Sequence, residues 1–245
     1  VMPMALDLAC YTAVAPAEDG RFRIYSRNLD QGREWRVADI PEVSPSHDWT
    51  DYVMGVAREL VFAGYEIRAC NLLIWSTVPT GSGLSSSAAI EVSTALALLG
   101  GRAIERLELA KLCRRAENNF VGMPCGIMDQ YISVFGEENT AIRIDCRSLE
   151  SLPVRLPGEV SILAVNTMVK HALSGSAYKE RTEQCAAAVE IFRSRYPSVE
   201  SLRDVTPEQF ARTADAMPET VRMRARHVIT EDARVEAFVE AAARG

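Results

Sequence analysis

The chain has 245 residues, of which 48% are hydrophobic and 24% charged, and its net charge is −6. This composition is typical of a globular protein with a sizeable core, and the negative balance argues against broad nucleic-acid binding, which needs a basic face. No apolar run approaches the roughly 20 residues of a membrane span, and no signal peptide is visible. Six scattered cysteines without a Cys-x-x-Cys pair predict reduced thiols in a cytoplasmic protein.

Strand signals dominate the beginning of the chain. Residues 5–15 and 21–27 alternate apolar with polar or small residues and predict a β-hairpin. Residues 28–48 are polar and predict an excursion over the surface. Apolar residues at helical spacing predict a helix over 49–62, and residues 67–75 predict the next strand.

The segment that follows, residues 78–89, has the sequence VPTGSGLSSSAA. It predicts a glycine loop between a strand and a helix over 88–99. Such a loop presents backbone N–H groups at the positive end of a helix, which suits phosphate, and glycine lets a ligand approach closely. It is not a Walker A loop, because no Lys-Ser or Lys-Thr follows Gly83, and Ser86 replaces the third glycine of a dinucleotide fingerprint. An ordinary turn with a helix cap is the alternative interpretation.

Helices dominate the later part of the chain, so the pattern predicts an α+β fold. Further helices are predicted at 104–120, 132–135, 176–194, near Pro207 and at 219–243, and further strands at 140–146 and 160–166. A Gly/Ser stretch near 165–176 predicts a boundary between two domains, residues 1–165 and residues 166–245.

The glycine–serine loop resembles the phosphate loop of the small-molecule kinases that include galactokinase, homoserine kinase, mevalonate kinase and phosphomevalonate kinase. Residues 116–130 (AENNFVGMPCGIMDQ), 144–150 (IDCRSLE) and 169–178 (VKHALSGSAY) are similar to the galactokinase branch of this GHMP kinase family. The resemblance implies a fold of two α+β lobes, with the phosphate loop in the first. It also implies ATP-dependent phosphorylation of galactose at the C1 hydroxyl, which gives galactose 1-phosphate and ADP.

The resemblance also assigns residues to the nucleotide and its metal. The ATP-binding residues it implies are Trp49, Gly81, Ser82, Gly83, Leu84, Ser85, Ser86 and Ser87. Trp49 would line the adenine pocket, with core packing as the alternative. Ser87 and Glu117 match the family's Mg²⁺ positions, and an oxygen pair suits that ion. A solvated position on a helix is the alternative for Glu117.

Three residues are expected on the acceptor side. Asp129 matches the carboxylate that serves these kinases as a base or as an electrostatic aid towards the sugar hydroxyl, and a helix N-cap is its alternative role. Gly126 would let the sugar ring approach the backbone. Tyr178 matches a tyrosine that contacts a sugar hydroxyl, with a half-buried core position as the alternative. Together, Gly126, Asp129 and Tyr178 form the predicted sugar site.

Other interpretations remain open beside a galactokinase. One is a kinase for a related sugar such as N-acetylgalactosamine, and another is a sensor that binds galactose and ATP without catalysis. The family's Gly-Glu-His-x-Asp signature and its glycine-rich third motif are not found in the sequence, so we expect a fragment that lacks both ends. The expected partners are ATP and a sugar, without nucleic acid or membrane, and the expected state is a monomer.

Overall fold

The computed structural model describes residues 1–159, 161–165 and 175–244, without the side chains of residues 175–178. The strands are β1 (Cys10–Pro16), β2 (Arg21–Ser26), β3 (Gln31–Arg36), β4 (Cys70–Ser76), β5 (Thr140–Ile144) and β6 (Ser151–Arg155). The α-helices are α1 (Thr50–Phe62), α2 (Ser86–Leu99), α3 (Arg106–Arg115), α4 (Met128–Phe135), α5 (Gly175–Arg195), α6 (Pro207–Thr213) and α7 (Glu219–Arg244). These elements confirm the predicted α+β class.

The first four strands form one mixed sheet in the order β1-β4-β2-β3. The predicted hairpin is wrong, because β4 lies between β1 and β2, antiparallel to the first and parallel to the second. Alternating apolar residues specify a strand and its buried face but not its partner. Strand β3 lies within the predicted surface excursion. Most of its side chains are exposed at the sheet edge, so it carries no apolar alternation.

One face of this sheet is covered by helices α1 and α2. Phe22 and Leu72 from the sheet share a buried cluster with Leu60 of α1 and Val92 of α2. Successive side chains of a strand point to opposite faces, which places the apolar set on the helix side. This packing fixes the positions of β4 and α2, and therefore of the glycine–serine loop that joins them.

A second core lies in the later part of the chain. Phe192, Leu202 and Val221 belong to a cluster made by α5, α7 and the short segments between them. Ion pairs join this part to the turn after β5, with Arg203 2.6 Å from Asp145. The domain boundary after residue 165 adjoins residues outside the described ranges, so the division into 1–165 and 166–245 stays a prediction.

The predicted strand over 160–166 is not found where the structure describes that segment. Residues 161–165 form no strand, and residues 160 and 166 lie outside the described ranges. The partner of β5 is instead β6, at Ser151–Arg155. The pairing of β5 and β6 is antiparallel across a short connection, and Pro153 obscures the strand signal of β6 in the sequence. Within the described residues, no helix is long and apolar enough to cross a membrane.

Candidate nucleotide and acceptor site

The backbone of the glycine–serine loop adopts a conformation that glycine favours. Gly81 and Gly83 have φ of +70° and +77°, a region that other residues rarely occupy. Ser85 is also left-handed, with φ 57° and ψ 41°, and stands at the N-cap of α2 without a side-chain capping bond. The side-chain capping bond of the alternative interpretation is therefore not made by Ser85, and phosphate binding by the loop stays a prediction. The first N–H groups of α2 have no side-chain cap and are oriented to bind an anion.

A cavity of about 430 Å³ opens beside this loop. Its wall includes Trp49, Tyr52, Gly81, Gly83, Ser85, Ser86, Ser87 and Asp129. The volume falls within the range of small-molecule sites. The cavity joins the predicted phosphate loop, the predicted adenine residue and the predicted acceptor residue in one space, although they come from three separate parts of the chain.

Two of the predicted loop residues do not face this cavity. The Ser82 hydroxyl donates to the Pro79 carbonyl at 2.7 Å, which holds the turn of the loop. Leu84 lines a neighbouring cavity of about 620 Å³ together with Asp129. Any contact of Ser82 or Leu84 with ATP would therefore be made through the backbone, and this role stays a prediction.

Two aromatic residues of the α1 region also line the cavity. Trp49 is half-buried, packs against the main core and donates from Nε1 to Gln31 at 3.2 Å. Trp49 therefore packs against the core and also lines the cavity, and its contact with adenine stays a prediction. Tyr52 of α1, three residues after Trp49, lines the same cavity. Burial first, and the Glu117 carboxylate second, raise the pKa of Tyr52 to about 12, so its hydroxyl stays protonated at neutral pH.

Asp129 lies in the first turn of α4, half-buried and on the wall of both cavities. The N-cap of α4 is Ile127, so the alternative role of Asp129 as N-cap is wrong. Gly126 is exposed and lines neither cavity, and a Cβ built there would meet nothing within 4 Å. Tyr178 lies in α5, but its side chain is outside the described residues. Their roles in sugar binding stay predictions.

Glu117 is buried beneath the site rather than solvated. It lies in a π-helical turn, Ala116–Val121, that continues α3, and its exposed fraction is only 7%. Turns of this kind are frequent at functional sites. Gln130, which is fully buried, donates from Nε2 to Oε2 of Glu117 at 2.6 Å and to Oε2 of Glu91 at 3.0 Å. The alternative of a solvated Glu117 is therefore wrong.

Burial and neighbouring carboxylates raise the pKa values of Glu91 and Cys125 in this cluster. Burial, with the Glu117 carboxylate as second cause, raises the pKa of Glu91 well above its usual range. The Cys125 thiol donates to Oε2 of Glu117 at 3.2 Å, and burial followed by Glu117 raises its pKa to about 12. Glu91, Gln130 and Cys125 were not among the predicted site residues. A single charged residue at 91, in an otherwise apolar run of a helix, was the available signal.

Ser87 and Glu117 offer oxygen donors of the type that Mg²⁺ prefers; Ser87 lines the 430 Å³ cavity, whereas Glu117 is buried and lines neither cavity. Ser87 and Glu91 are four residues apart on α2 and therefore share one face, and Gln130 links Glu91 to Glu117. Within the described residues, no hydrogen bond is made to Oε1 of Glu117, so that oxygen is free for a ligand. A hydroxyl and a carboxylate are the oxygen ligands that Mg²⁺ prefers. No group of three or more His, Cys, Asp or Glu in the described ranges forms a metal site by itself.

Comparisons with known proteins show which kinases this chain is similar to. Residues 51–137 match the family model "GHMP kinases N terminal domain". The structure also aligns with a mevalonate kinase from Methanococcus jannaschii with a TM-score of 0.56, over 64% of this chain and 49% of that one, at 20% identity. The second match supports the fold alone. Residues 51–137 are therefore similar to the N-terminal domain of the GHMP kinases, and the fold of the chain is similar to theirs.

Over nearly its whole length, the chain is also similar to galactokinases. It is 39% identical to the galactokinase of Roseiflexus sp. (strain RS-1) and 38% identical to that of Chloroflexus aurantiacus, over 96% and 100% of this chain. It also aligns along its full length with Lactococcus lactis galactokinase complexed with galactose, with a TM-score of 0.83 and 30% identity, over 64% of that chain. The chain spans 60% and 63% of the length of the two curated relatives.

Proposed function

We propose that the protein containing this chain transfers the γ-phosphoryl group of ATP to the C1 hydroxyl of galactose, giving galactose 1-phosphate and ADP. One observation carries this proposal: the glycine–serine loop and Asp129 line the same cavity, in a chain 39% identical to a galactokinase over nearly its whole length. Phosphoryl transfer depends on positioning and on charge stabilisation, and a cavity with phosphate-binding N–H groups and a carboxylate is suited to both.

The loop and α2 would hold the nucleotide. The uncapped N–H groups at the start of α2 donate to phosphate oxygens, and Gly81 and Gly83 keep the backbone free of side chains where the phosphates approach. Trp49 and Tyr52 line the same cavity and offer apolar ring faces against which the adenine would pack. ATP would therefore lie in the cavity that Asp129 also lines.

Ser87 and Glu117 would hold Mg²⁺, with Ser87 supplying its hydroxyl and Glu117 its free oxygen Oε1. When bound, Mg²⁺ would neutralise charge on the phosphates during transfer. Asp129 would accept the proton of the C1 hydroxyl or orient that hydroxyl by its charge. Gly126 and Tyr178 would complete the sugar site. In this arrangement, Asp129 acts on the acceptor and Ser87 and Glu117 act on the donor.

The proposal extends to the state and location of the protein. We take it to be a monomer that works in the cytoplasm and binds ATP and a sugar. All six cysteines are unpaired in the structure, which agrees with a reducing compartment. The intact serines of the loop and the presence of Glu117 and Asp129 favour a catalyst over a galactose and ATP sensor.

The test is a phosphorylation assay on the protein that contains this chain, with a sugar panel of galactose, N-acetylgalactosamine, glucose and 1-deoxygalactose. ADP release gives the rate, and ³¹P NMR identifies the phosphorylated carbon. We expect turnover with galactose, a product phosphorylated at C1, and no turnover with 1-deoxygalactose, which lacks the acceptor hydroxyl. A preference for N-acetylgalactosamine over galactose would show that galactose is not the main substrate and that the protein is a kinase for N-acetylgalactosamine. Binding of galactose and ATP in calorimetry without ADP release would establish a sensor and overturn the proposal.

A further inference from the structure

Gln130 connects the metal side and the acceptor side of the proposed site, through its side-chain hydrogen bonds on one side and its backbone on the other. The Gln130 amide uses its two N–H groups on two carboxylates, Glu117 at 2.6 Å and Glu91 at 3.0 Å. Gln130 directly follows Asp129 in α4. Gln130 is therefore hydrogen-bonded through its side chain to Glu117, the proposed metal ligand, and is the next residue in the chain after Asp129, the proposed acceptor-side carboxylate.

This arrangement carries an energetic cost that packing does not explain. Glu91 and Gln130 are both fully buried, and within the described residues Oε1 of each has no hydrogen-bond partner. An unsatisfied buried polar atom costs about 1–3 kcal/mol, and apolar residues of similar shape would avoid that cost. Buried polar groups that reduce stability in this way are commonly retained where they hold a functional group in place.

The pattern of bonds also determines which oxygen of Glu117 is presented. Gln130 and the Cys125 thiol both donate to Oε2, at 2.6 Å and 3.2 Å. In the part of the chain that the structure describes, Oε1 accepts no hydrogen bond. The carboxylate is thus held by one oxygen, and the other is left for a ligand. Bonds from surrounding residues that orient a metal ligand in this way tune metal affinity.

We propose that Gln130, anchored by Glu91, is a positioning residue that orients the Glu117 carboxylate towards the metal and fixes the start of α4 that carries Asp129. This inference rests on the proposed function, because Glu117 is a metal ligand only if the protein binds a metal–nucleotide complex. Glu91 acts here as a hydrogen-bond acceptor for the Gln130 amide. The role therefore requires an oxygen at position 91 but not a negative charge.

Four variants separate this role from a general contribution to packing. Gln130→Leu removes both N–H donors, and Glu91→Leu removes the acceptor. Both substitutions introduce an apolar side chain of similar size. Glu91→Gln keeps an oxygen acceptor at position 91. Tyr131→Phe is the matched control, because Tyr131 is buried on the same helix and loses a 2.8 Å bond to Ser151 outside the chain of carboxylates.

The main measurement is Mn²⁺ affinity by electron paramagnetic resonance in the presence of the non-hydrolysable nucleotide adenosine 5′-(β,γ-imido)triphosphate. We expect Gln130→Leu and Glu91→Leu to weaken Mn²⁺ binding by about 10-fold or more. Glu91→Gln and Tyr131→Phe should remain within about 2-fold of the wild type. Crystal structures of the metal-free variants should show the Glu117 carboxylate displaced only in the two leucine variants. Circular dichroism and thermal melting show which variants are folded, and Glu91→Gln remains informative if a leucine variant is not.

The outcomes distinguish this inference from the proposed function. Wild-type Mn²⁺ affinity in folded Gln130→Leu and Glu91→Leu would overturn the positioning role and leave the proposed function intact. A loss in Glu91→Gln as large as that in Glu91→Leu would overturn the role of Glu91 as acceptor. A wild-type protein that binds no Mn²⁺ with the nucleotide would overturn both proposals.

Discussion

The two sides of the candidate site are built in opposite ways. The glycine–serine loop is a run of consecutive residues at the surface, and it offers backbone N–H groups through its left-handed glycines and Ser85. The carboxylate cluster is buried, and it takes Glu91, Glu117 and Gln130 from three different helical segments. The first side is specified by local sequence and the second only by packing.

This difference indicates how each side should respond to change. A backbone site has no side chain to lose, so it is sensitive to what is added to it. A buried side-chain cluster is sensitive to what is removed, because the low dielectric strengthens its bonds and penalises any unpaired group. Asp129 stands where the two sides meet, on the wall of the cavity and next to Gln130.

The largest effect is expected from Asp129→Asn, which keeps the size of the side chain and removes its charge and basicity. We expect kcat to fall by about 100-fold or more, as is typical when a general base is lost, with much less effect on sugar binding. The thermal midpoint should change little, because Ile127 and not Asp129 is the N-cap of α4. Glu219→Gln is the control for a first-turn carboxylate, on α7. Normal kcat in Asp129→Asn would contradict the catalytic role.

A smaller but clear effect is expected from Gly83→Val on the loop side. The added side chain would block the approach of phosphate and also strain a backbone with φ of +77°. We expect KM for ATP to rise by about 10-fold or more, on the order of the 1.4 kcal/mol that corresponds to a tenfold change. Gly101→Val carries the same strain at φ +84° away from the cavity. Equal KM values in both variants would show that the loop does not bind phosphate.

The buried side predicts a dependence of stability on pH. The pKa of Glu91 is raised in the folded protein by burial first and by Glu117 second, with Asp129 also facing it and the Gln130 bond acting in the opposite direction. A raised folded pKa means that its contribution to stability is complete below the unfolded value, near 4.5, and declines as pH rises above it. In the absence of divalent metal, we expect Glu91→Gln to gain stability relative to the wild type between pH 4.5 and 7. Parallel stability curves would contradict a buried, protonated Glu91.

The smallest effect is expected at Ser85, which pays for its left-handed conformation without making a capping bond. Replacement by glycine relieves about 1 kcal/mol of strain and adds a similar entropy cost, so the free energy of unfolding should change by less than about 1 kcal/mol. KM for ATP should not change if the backbone of the loop does the binding. Ser85→Ala is the matched control for loss of the hydroxyl. A large rise in KM in both variants would assign phosphate binding to the Ser85 side chain.

The sequence by itself determined the parts of this protein that depend on neighbouring residues. The sequence alone predicted the strand–loop–helix around the glycine–serine segment. It also predicted helices α1 and α7 from their apolar spacing, and it carried the family resemblance. The motif around Asp129 also predicted it as a site residue, and the structure places Asp129 on the cavity wall. Local patterns are sufficient here because backbone conformation and helix periodicity are set within a few residues.

Only the tertiary structure decided which strands pair and which polar residues meet. Strand β4 lies between β1 and β2, which pair with the backbone groups along its two edges, and the alternation of its side chains does not specify these partners. Glu91 and Gln130 are separated by 39 positions, so their bond follows from the packing of α2 against α4. A buried amide or carboxylate has no sequence signature of its own, because its partners are chosen by burial and are distant along the chain.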